Sequence, residues 1–300
     1  MPEGDTVHLA ATRLHAALSG QVIRRAELRV PRFASADLSG RLLEEVVARG
    51  KHLLFRLGGG LTLHTHYRME GSWHLYRAGE RWRGPRFQVR AILETEPWIA
   101  VGFRLAVTEL LNTSEEGEVV GHLGPDPLGP DWNAVEALRR LTSRPERPIG
   151  DALIDQRLIA GLGNVYRCEI CFLRGVDPWS PVGSVAAPER LVDLAKRLLE
   201  ANRTTGNQIT TGDARPDRRH WVYARGGQPC RRCGGPIALK EREPWEGGER
   251  ATWWCPRCQP VWPPKAPSPA ADLLAAPSAP SPASADHLPA PGNPAPMPHS

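Results

Sequence analysis

The spacing of apolar residues predicts a short helix followed by a β-rich half. In residues 6–18, Val7, Ala10, Ala11, Leu14 and Leu18 recur at helical spacing, with Asp5 or Thr6 as the expected N-cap. From residue 21 to about residue 111 the period shortens to two. The predicted strands are 21–29, 42–49, 52–57, 61–66, 72–76, 87–94 and 98–103. Short strands at this spacing predict a β-sandwich or a barrel.

After a Gly- and Pro-containing connector at 117–131, the period changes to that of helices. The predicted helices are 133–141, 149–155, 163–173 and 188–201, and the polar residues 203–228 are predicted to form a long loop. Residues 261–300 contain 12 Pro, 10 Ala and 5 Ser, which leaves too little apolar material for a core. We therefore expect an α+β protein with a disordered C-terminal tail.

The net positive charge of the chain favours a polyanionic partner. The chain of 300 residues has a formal charge of +5, and its sequence pI is about 9.1. The basic residues are 34 Arg and only 4 Lys, which makes Lys51 conspicuous as the only lysine before Lys196. No run of 18 apolar residues and no signal-peptide pattern occurs, so we expect a soluble intracellular protein.

The N-terminus can supply a nucleophile if Met1 is removed, which the small ring of Pro2 permits. An α-amino group has a pKa of about 7.7–8.0, so part of it is unprotonated near neutrality. A secondary amine that adds to a sugar aldehyde gives an iminium ion, the electron sink of Schiff-base catalysis. Glu3 follows as a candidate general acid or base. The alternative is that Met-Pro is only a start codon and a stable second residue.

Four of the six cysteines predict a metal site. Cys230, Cys233, Cys255 and Cys258 form two C-x2-C pairs with 21 residues between them. This spacing is typical of a structural zinc ion held by four thiolates on a two-stranded ribbon, with a redox pair or loose thiols as the alternatives. The remaining C-x2-C pair, at 168 and 171, lies in a predicted helix and is interpreted as core packing rather than a second metal site.

The turn Gly161-Leu162-Gly163-Asn164 lies between two predicted helices. Its N–H groups and the Asn164 amide could hold a phosphate, although a plain helix–turn–helix connection explains the same residues. The histidines at 8, 64, 66 and 74 show no metal-site spacing and are interpreted as polar residues of a helix or strands.

Together, these motifs resemble the formamidopyrimidine-DNA glycosylase/endonuclease VIII family of DNA repair enzymes. Their joint order across residues 1–260 carries the resemblance. The motifs are Pro2-Glu3-Gly4, Gly50-Lys51-His52, Arg68-Met69-Glu70-Gly71, Gly161-Leu162-Gly163-Asn164-Val165-Tyr166, Val222-Tyr223-Ala224-Arg225-Gly226-Gly227-Gln228-Pro229-Cys230 and the four-cysteine ribbon.

The resemblance implies four domains or segments. These are a catalytic helix and β-sandwich domain at 1–118, a helix–two-turns–helix DNA-binding domain at 132–226, a zinc ribbon at 227–262 and the disordered tail at 263–300. It also implies one structural Zn²⁺, and DNA in the cleft between the two main domains. The protein would be a cytoplasmic, nucleoid-associated bacterial monomer without a membrane partner.

By position, the resemblance assigns chemical roles to four residues. Pro2 would attack C1′ of the damaged nucleotide, and Glu3 would be the proton donor and acceptor. Lys51 would be a proton donor or phosphate contact. Arg250 would clamp a phosphate and donate a proton during δ-elimination.

Further residues are implied in DNA binding. Asn164 would hold a phosphate with Arg250, and Met69 would fill the gap left by the flipped nucleotide, as an unbranched apolar side chain can. Arg68 and Arg225 lie in the family motifs and are expected to contact DNA. Two further intercalating residues of the family have no clear counterpart in 101–105, where Phe103 and Arg104 are the candidates.

The implied activity is that of a bifunctional DNA glycosylase/AP lyase acting by β,δ-elimination. The 2–7 opening and Arg219-His220-Trp221 are closer to the endonuclease VIII branch and to its actinobacterial members, which favours oxidised pyrimidines in damaged double-stranded DNA. Single-stranded or bubble DNA is a second candidate substrate. The alternatives are an AP lyase without glycosylase activity, an 8-oxoguanine/formamidopyrimidine-type glycosylase, and a non-catalytic zinc-ribbon DNA-binding protein.

Overall fold

The structure, a computed structural model, describes residues 2–245 and 248–261. Its helices are α1 (Gly4–Leu18), α2 (Glu116–Val120), α3 (Ala134–Leu141), α4 (Ile149–Ile154), α5 (Asn164–Arg174) and α6 (Glu189–Asn202). Its strands are β1 (Gln21–Val22), β2 (Arg25–Leu28), β3 (Leu42–Arg49), β4 (His52–Leu57), β5 (Leu61–His66), β6 (Ser72–Tyr76), β7 (Val89–Glu94), β8 (Ile99–Phe103), β9 (Val107–Asn112), β10 (Ala238–Trp245) and β11 (Gly248–Trp254). The tail predicted at 263–300 lies outside the described residues.

Two antiparallel sheets and α1 enclose one hydrophobic core in the N-terminal half. The five-stranded sheet has the order β1-β3-β4-β5-β9, and the four-stranded sheet has the order β2-β7-β8-β6. The apolar face of α1 is buried against this core through Val7, Ala11, Leu14 and Leu18. The predicted helix and β-sandwich are thus confirmed.

In this half two local predictions are wrong and one strand was not predicted. The predicted strand 21–29 is two strands in different sheets, because Ile23 N–H donates to Arg41 O whereas Arg24 N–H donates to Glu94 O. Strand β9 was not predicted, since its residues do not alternate cleanly between buried and exposed. The cap predicted at Asp5 or Thr6 is wrong, because α1 already begins at Gly4.

The helices form a second core, and α5 is its central element. Nine consecutive residues of α5, Asn164 to Phe172, are buried. Within α5, the Glu169 carboxylate accepts hydrogen bonds of 2.8 Å each from the N–H groups of Trp221, Val222 and Tyr223. This buried anchor holds the end of the predicted 203–228 loop, whose one regular element is a 3-10 turn at Pro216–Arg218. The Cys168 and Cys171 side chains are fully buried, as the core interpretation predicted.

Strands β10 and β11 pair antiparallel into the predicted ribbon. None of the helices in the described part of the chain is both long and apolar enough to cross a membrane. The fold thus consists of a β-sandwich half, a helical half and a ribbon, and the residues with candidate chemistry lie where these parts meet.

Candidate active site

Pro2 lies in a cleft between the β-sandwich half and the helical half. It lines a cavity of about 660 Å³ whose other residues are Lys51, His66, Arg68, Met69, Ile154, Gln156, Gly163, Asn164 and Arg250. Five separate parts of the chain thus converge on Pro2. Pro2 also borders a second cavity of about 580 Å³, lined by α1 and β6, so it stands between two spaces.

The Glu3 side chain is completely buried and crosses from the N-terminus to the start of α5. Its Oε2 accepts a hydrogen bond from Gly163 N at 2.7 Å, and its Oε1 accepts one from Val165 N at 2.8 Å. Burial raises the pKa of Glu3 to about 7, against the lowering effect of Lys51 and of these two N–H groups. A carboxyl group poised near neutrality can both donate and accept a proton.

The glycines of the 161–163 turn allow this close approach. A Cβ on Gly163 would lie 2.6 Å from the Glu3 carboxyl carbon, so any other residue at 163 would displace the Glu3 carboxylate from its two N–H donors. On the other side, Gly4 N–H donates to Gly161 O at 2.8 Å, and a Cβ on Gly4 would lie 2.9 Å from Gly161 Cα. The two glycine motifs of the sequence are therefore packed against each other and set the position of Pro2.

Lys51 is held beside Glu3 by the same turn. Its Nζ donates to Leu162 O at 2.6 Å. Burial lowers the pKa of Lys51 to about 8, Glu3 raises it, and Arg250 lowers it further. The preceding Gly50 donates its N–H to Asp126 Oδ2 at 2.6 Å, which ties the β3–β4 hairpin to the connector between the halves. The single lysine of the β-rich half is thus fixed at the cavity.

Helix α5 positions Arg250 through the β11 backbone. Asn164 Nδ2 and Arg167 Nη2 both donate to Ala251 O, at 2.9 and 3.1 Å, and Arg167 Nη2 also donates to Thr252 Oγ1 at 2.7 Å. Arg250, the next residue, is half-buried and lines the cavity. One N–H of the Asn164 amide remains for a ligand. The predicted phosphate pair therefore lies on one wall of the cavity.

Arg68 and Met69 lie at the cavity entrance, in the turn that follows β5. Arg68 adopts a left-handed backbone with φ of +48°, and its N–H donates to His66 Nδ1 at 3.0 Å. Met69 lines the cavity but remains 61% exposed. An unbranched apolar side chain is thus exposed to solvent beside the cavity.

The structure separates the two candidates of the 101–105 stretch. Phe103 is only 5% exposed and packs in the cluster that contains Tyr76, Val89 and Val101, so its ring does not face a ligand in this structure. Arg104 is exposed, and its Nη1 pairs with Glu70 Oε2 at 2.8 Å, next to Met69. The predicted DNA contact of Arg104 is therefore compatible with its position.

Arg225 is buried, whereas the motif implied a side chain that contacts DNA. It is 8% exposed, and its guanidinium donates to Gln228 Oε1, to Trp221 O and to Pro229 O, the last at 2.8 Å. Its donors are used to close the loop that leads into the ribbon. The geometry thus favours a structural role over the predicted DNA contact.

His66 and Gln156 are site residues that the sequence interpretation missed. His66 lines the cavity, and burial, followed by Lys51, lowers its pKa to about 4. Because its Nδ1 accepts from Arg68 N–H, its neutral ring carries the proton on Nε2 and can donate there. Gln156 Nε2 donates to Leu162 O at 2.8 Å, and Gln156 Oε1 accepts from Gly161 N–H at 2.9 Å, so it braces the turn.

A signal for His66 is present in the sequence. His52 and His66 are cross-strand partners on β4 and β5, and His64 precedes His66 by two residues on the same face. In the structure His52 Nδ1 and His64 Nε2 are 2.8 Å apart, and His64 Nδ1 lies 2.7 Å from Glu109 Oε1. Histidines placed symmetrically about a hairpin predict such a cluster.

The four ribbon cysteines converge as zinc requires. All four Sγ atoms lie within 4.8 Å of one another, with the pairs Cys230–Cys258 and Cys233–Cys255 at 3.9 and 3.5 Å. Four thiolates at these separations fit a tetrahedral Zn²⁺, whose Zn–S bonds are about 2.3 Å long. Four thiolates would complete the coordination sphere, so the metal would hold the ribbon together and leave no open position for a substrate.

Removal of the metal is expected to lower activity, although none of the four cysteines lines the cavity. In Cys233→Ser we expect loss of bound zinc and a changed tryptophan fluorescence, since Trp253 and Trp254 of β11 pack against Tyr223 and Trp179. Activity should fall with zinc content, because β11 carries Arg250. Zinc content by mass spectrometry and fluorescence measure both effects.

The matched control for this variant is Cys171→Ala, which changes a buried cysteine outside the cluster. It should keep its zinc and its ribbon fluorescence. Equal zinc loss in the two variants, or full zinc content in Cys233→Ser, would contradict the assignment of the metal to the ribbon.

Three family models match the chain in the order of its structural parts. The N-terminal domain of formamidopyrimidine-DNA glycosylase matches residues 1–108, and the H2TH domain of the same enzyme matches residues 123–211. A zinc finger found in FPG and IleRS matches residues 227–261 and includes all four cysteines. Together with the Sγ geometry, this match identifies the ribbon as a site for one structural zinc ion.

Curated relatives cover almost the same part of the chain. A probable endonuclease 8 2 of Streptomyces coelicolor is 52% identical over 263 residues, with 86% of this chain and 94% of the relative covered. A DNA-(apurinic or apyrimidinic site) lyase of Mycolicibacterium smegmatis, named Nei2, is 46% identical over 259 residues, with 86% and 99% covered.

Solved structures support the fold. The formamidopyrimidine-DNA glycosylase of Lactococcus lactis, non-covalently bound to DNA with an AP site, superimposes with a TM-score of 0.72. The match covers 86% of this chain and 100% of that one at 24% identity, and therefore shows a shared fold. The family models and the identity to curated relatives go further: the chain belongs to the formamidopyrimidine-DNA glycosylase/endonuclease VIII family.

Proposed function

We propose that this protein is a bifunctional DNA glycosylase/AP lyase of base excision repair, with Pro2 as its nucleophile once Met1 has been removed. The observation that carries the proposal is the placement of Pro2 in the cavity that Lys51 and Arg250 also line, beside the buried Glu3 carboxylate. A non-catalytic DNA-binding protein has no need of this arrangement. Membership of a family of glycosylases and AP lyases supports the same activity.

The first steps join Pro2 to the sugar. The Pro2 nitrogen forms a bond to C1′, and the bond between C1′ and the base breaks with its electron pair on the departing base, which takes up a proton. The sugar ring then opens by breakage of the bond between C1′ and O4′. The ring oxygen takes up a proton, and the Pro2 nitrogen, which has lost its own proton, shares its lone pair with C1′ to give an iminium ion. Glu3 supplies and later accepts protons here, because its raised pKa keeps both forms populated near neutrality.

The iminium ion then drives strand cleavage. It acidifies the C2′ proton, whose loss expels the 3′ phosphate in β-elimination. A second elimination expels the 5′ phosphate. Lys51 and Arg250 can each stabilise a departing phosphate and donate a proton to it, and the free N–H of Asn164 can hold a neighbouring phosphate.

Met69 completes the proposed DNA site. A nucleotide that enters the cavity leaves a gap in the base stack, and an apolar side chain restores the lost contacts. Met69 is exposed at the cavity entrance and is free to enter that gap. We expect the partner to be damaged double-stranded DNA, bound by a monomer on the bacterial nucleoid, with single-stranded or bubble DNA as a second substrate.

We propose oxidised pyrimidines, such as thymine glycol and 5-hydroxyuracil, as the excised bases. The name of one relative, a probable endonuclease 8, favours this branch over the 8-oxoguanine branch. The name of a second relative supports one alternative, an AP lyase without glycosylase activity, because that activity needs the same residues around Pro2.

Cleavage of a lesion panel tests this proposal. We expect the zinc-loaded, Met1-processed protein to cut duplexes that contain 5-hydroxyuracil, thymine glycol or an abasic site, and to leave the undamaged duplex intact. Phosphates at both ends of the one-nucleotide gap indicate β,δ-elimination. Cleavage of the abasic duplex alone would support the lyase alternative, and cleavage of none of them would refute the enzyme.

A further inference from the structure

An exposed phenylalanine lies on the β-sandwich half without any role in the site described above. Phe87 is 77% exposed, in a 3-10 turn formed by Arg86–Gln88 immediately before β7. A large aromatic side chain in water is unfavourable, since full burial of such a side chain is worth about 1.5–3 kcal/mol. Single exposed apolar side chains are common on protein surfaces, so the case for an interaction site depends on what surrounds Phe87.

The surroundings of Phe87 are strongly basic. Residues 77–90 contain five arginines against one glutamate, Glu80. Arg86 is exposed, and its guanidinium lies 5.9 Å from the centre of the Trp82 ring. Arg29 Nη1 donates to Arg86 O at 3.2 Å, and Arg90 Nη1 donates to Phe87 O at 2.9 Å, so two further arginines fix the turn. This surface complements a polyanion.

The turn is continuous with the entrance of the active-site cavity. Gln88 O accepts a hydrogen bond from Arg104 N at 2.8 Å, and the Arg104 side chain reaches Glu70 at 2.8 Å. Glu70 follows Met69, which lines the cavity. One chain of direct contacts thus runs from Phe87 to Met69 along the same edge of the sandwich.

We propose that Arg86 and Phe87 form a second contact with the damaged duplex, beside the lesion. Phe87 packs against a base or deoxyribose that the distorted duplex exposes, and Arg86 contacts a phosphate. The inference rests on the proposed function, since it takes its ligand from the neighbouring cavity. It also supplies an aromatic contact that the buried Phe103 cannot make.

Binding to a duplex with a tetrahydrofuran abasic analogue tests the proposal. Phe87→Ala should weaken the Kd about tenfold, within the range measured for single aromatic–base contacts. Phe87→Tyr should keep it, because the ring remains. Arg86→Ala should lower the slope of log Kd against log salt by about one, as expected for one lost phosphate contact.

Val135→Ala is the matched control, since Val135 is 79% exposed on α3. It should leave the Kd unchanged, and all variants should keep their zinc and melting temperature. An unchanged Kd in Phe87→Ala would overturn the proposal and point to an acidic protein segment as the partner of this surface. Equal weakening in Phe87→Ala and Phe87→Tyr would overturn the stacking contact.

Different results would refute the proposed enzyme activity and the proposed Phe87 contact. Wild-type protein that binds the analogue but cuts no lesion would refute the enzyme and leave the Phe87 contact to be judged by its Kd. Normal cleavage by the wild type, with identical DNA binding in Phe87→Ala, would refute the contact alone.

Discussion

Replacement of Glu3 by glutamine is expected to slow base excision by about 10²–10⁴-fold, the usual contribution of a general acid or base. Glutamine retains an oxygen for one of the N–H groups of Gly163 and Val165 but cannot exchange a proton. Binding to the abasic analogue should change little, because the Glu3 side chain is completely buried and does not line the cavity. Single-turnover release of 5-hydroxyuracil measures excision separately from binding.

The direction in which base excision changes with pH follows from the pKa of Glu3. Burial raises the pKa of Glu3 to about 7, so the carboxyl loses its proton as the pH rises through neutrality. Proton donation to the departing base should therefore weaken above about pH 7 in the wild type. In Glu3→Gln that decline should vanish, leaving only the rise that accompanies deprotonation of the Pro2 amine. If Glu3→Gln excised the base at the wild-type rate, Glu3 would have no role as general acid or base.

Retention of Met1 is expected to abolish strand cleavage. With a residue ahead of it, the Pro2 nitrogen is an amide, which has no basic lone pair and cannot form an iminium ion. We expect protein purified with Met1 in place to bind the abasic analogue and leave an abasic duplex uncut. Treatment of the same sample with methionine aminopeptidase should restore cleavage, with intact mass confirming removal.

This experiment contains its own control, since one preparation is compared before and after a single peptide bond is cut. Pro2→Gly adds a second comparison: it keeps a free amine but not a secondary one, so cleavage and covalent trapping should be reduced. Equal cleavage with and without Met1 would exclude Pro2 as the nucleophile.

Local patterns predicted the individual elements of this fold well. The strands at 52–57, 61–66 and 72–76 and the cysteine ribbon were predicted from alternation and spacing alone, and the structure has all of them. In each, the information lies within a few residues or in a rigid ligand geometry. Chemical type predicted Pro2, the rarity of lysine drew attention to Lys51, and the family resemblance implied Arg250. The structure brings all three to one cavity.

Contacts between distant parts of the chain could not be predicted in this way. The hydrogen bond between Glu3 and Val165 joins residues 162 positions apart, and no local pattern specifies it. The exposure of Phe103 and Phe87 could not be predicted from local sequence either. Phe103 ends β8 and Phe87 lies just before β7, yet tertiary packing buries Phe103 and leaves Phe87 exposed. The Arg225 guanidinium can be buried because two backbone carbonyls of its own loop accept hydrogen bonds from its N–H groups.

Borohydride trapping of the Met1-processed protein tests the central claim most directly. Reduction should join the protein covalently to duplexes that carry an abasic site or 5-hydroxyuracil, and peptide mapping should locate the adduct on Pro2. The same adduct on Lys51, or no adduct on any duplex despite tight binding, would contradict the account.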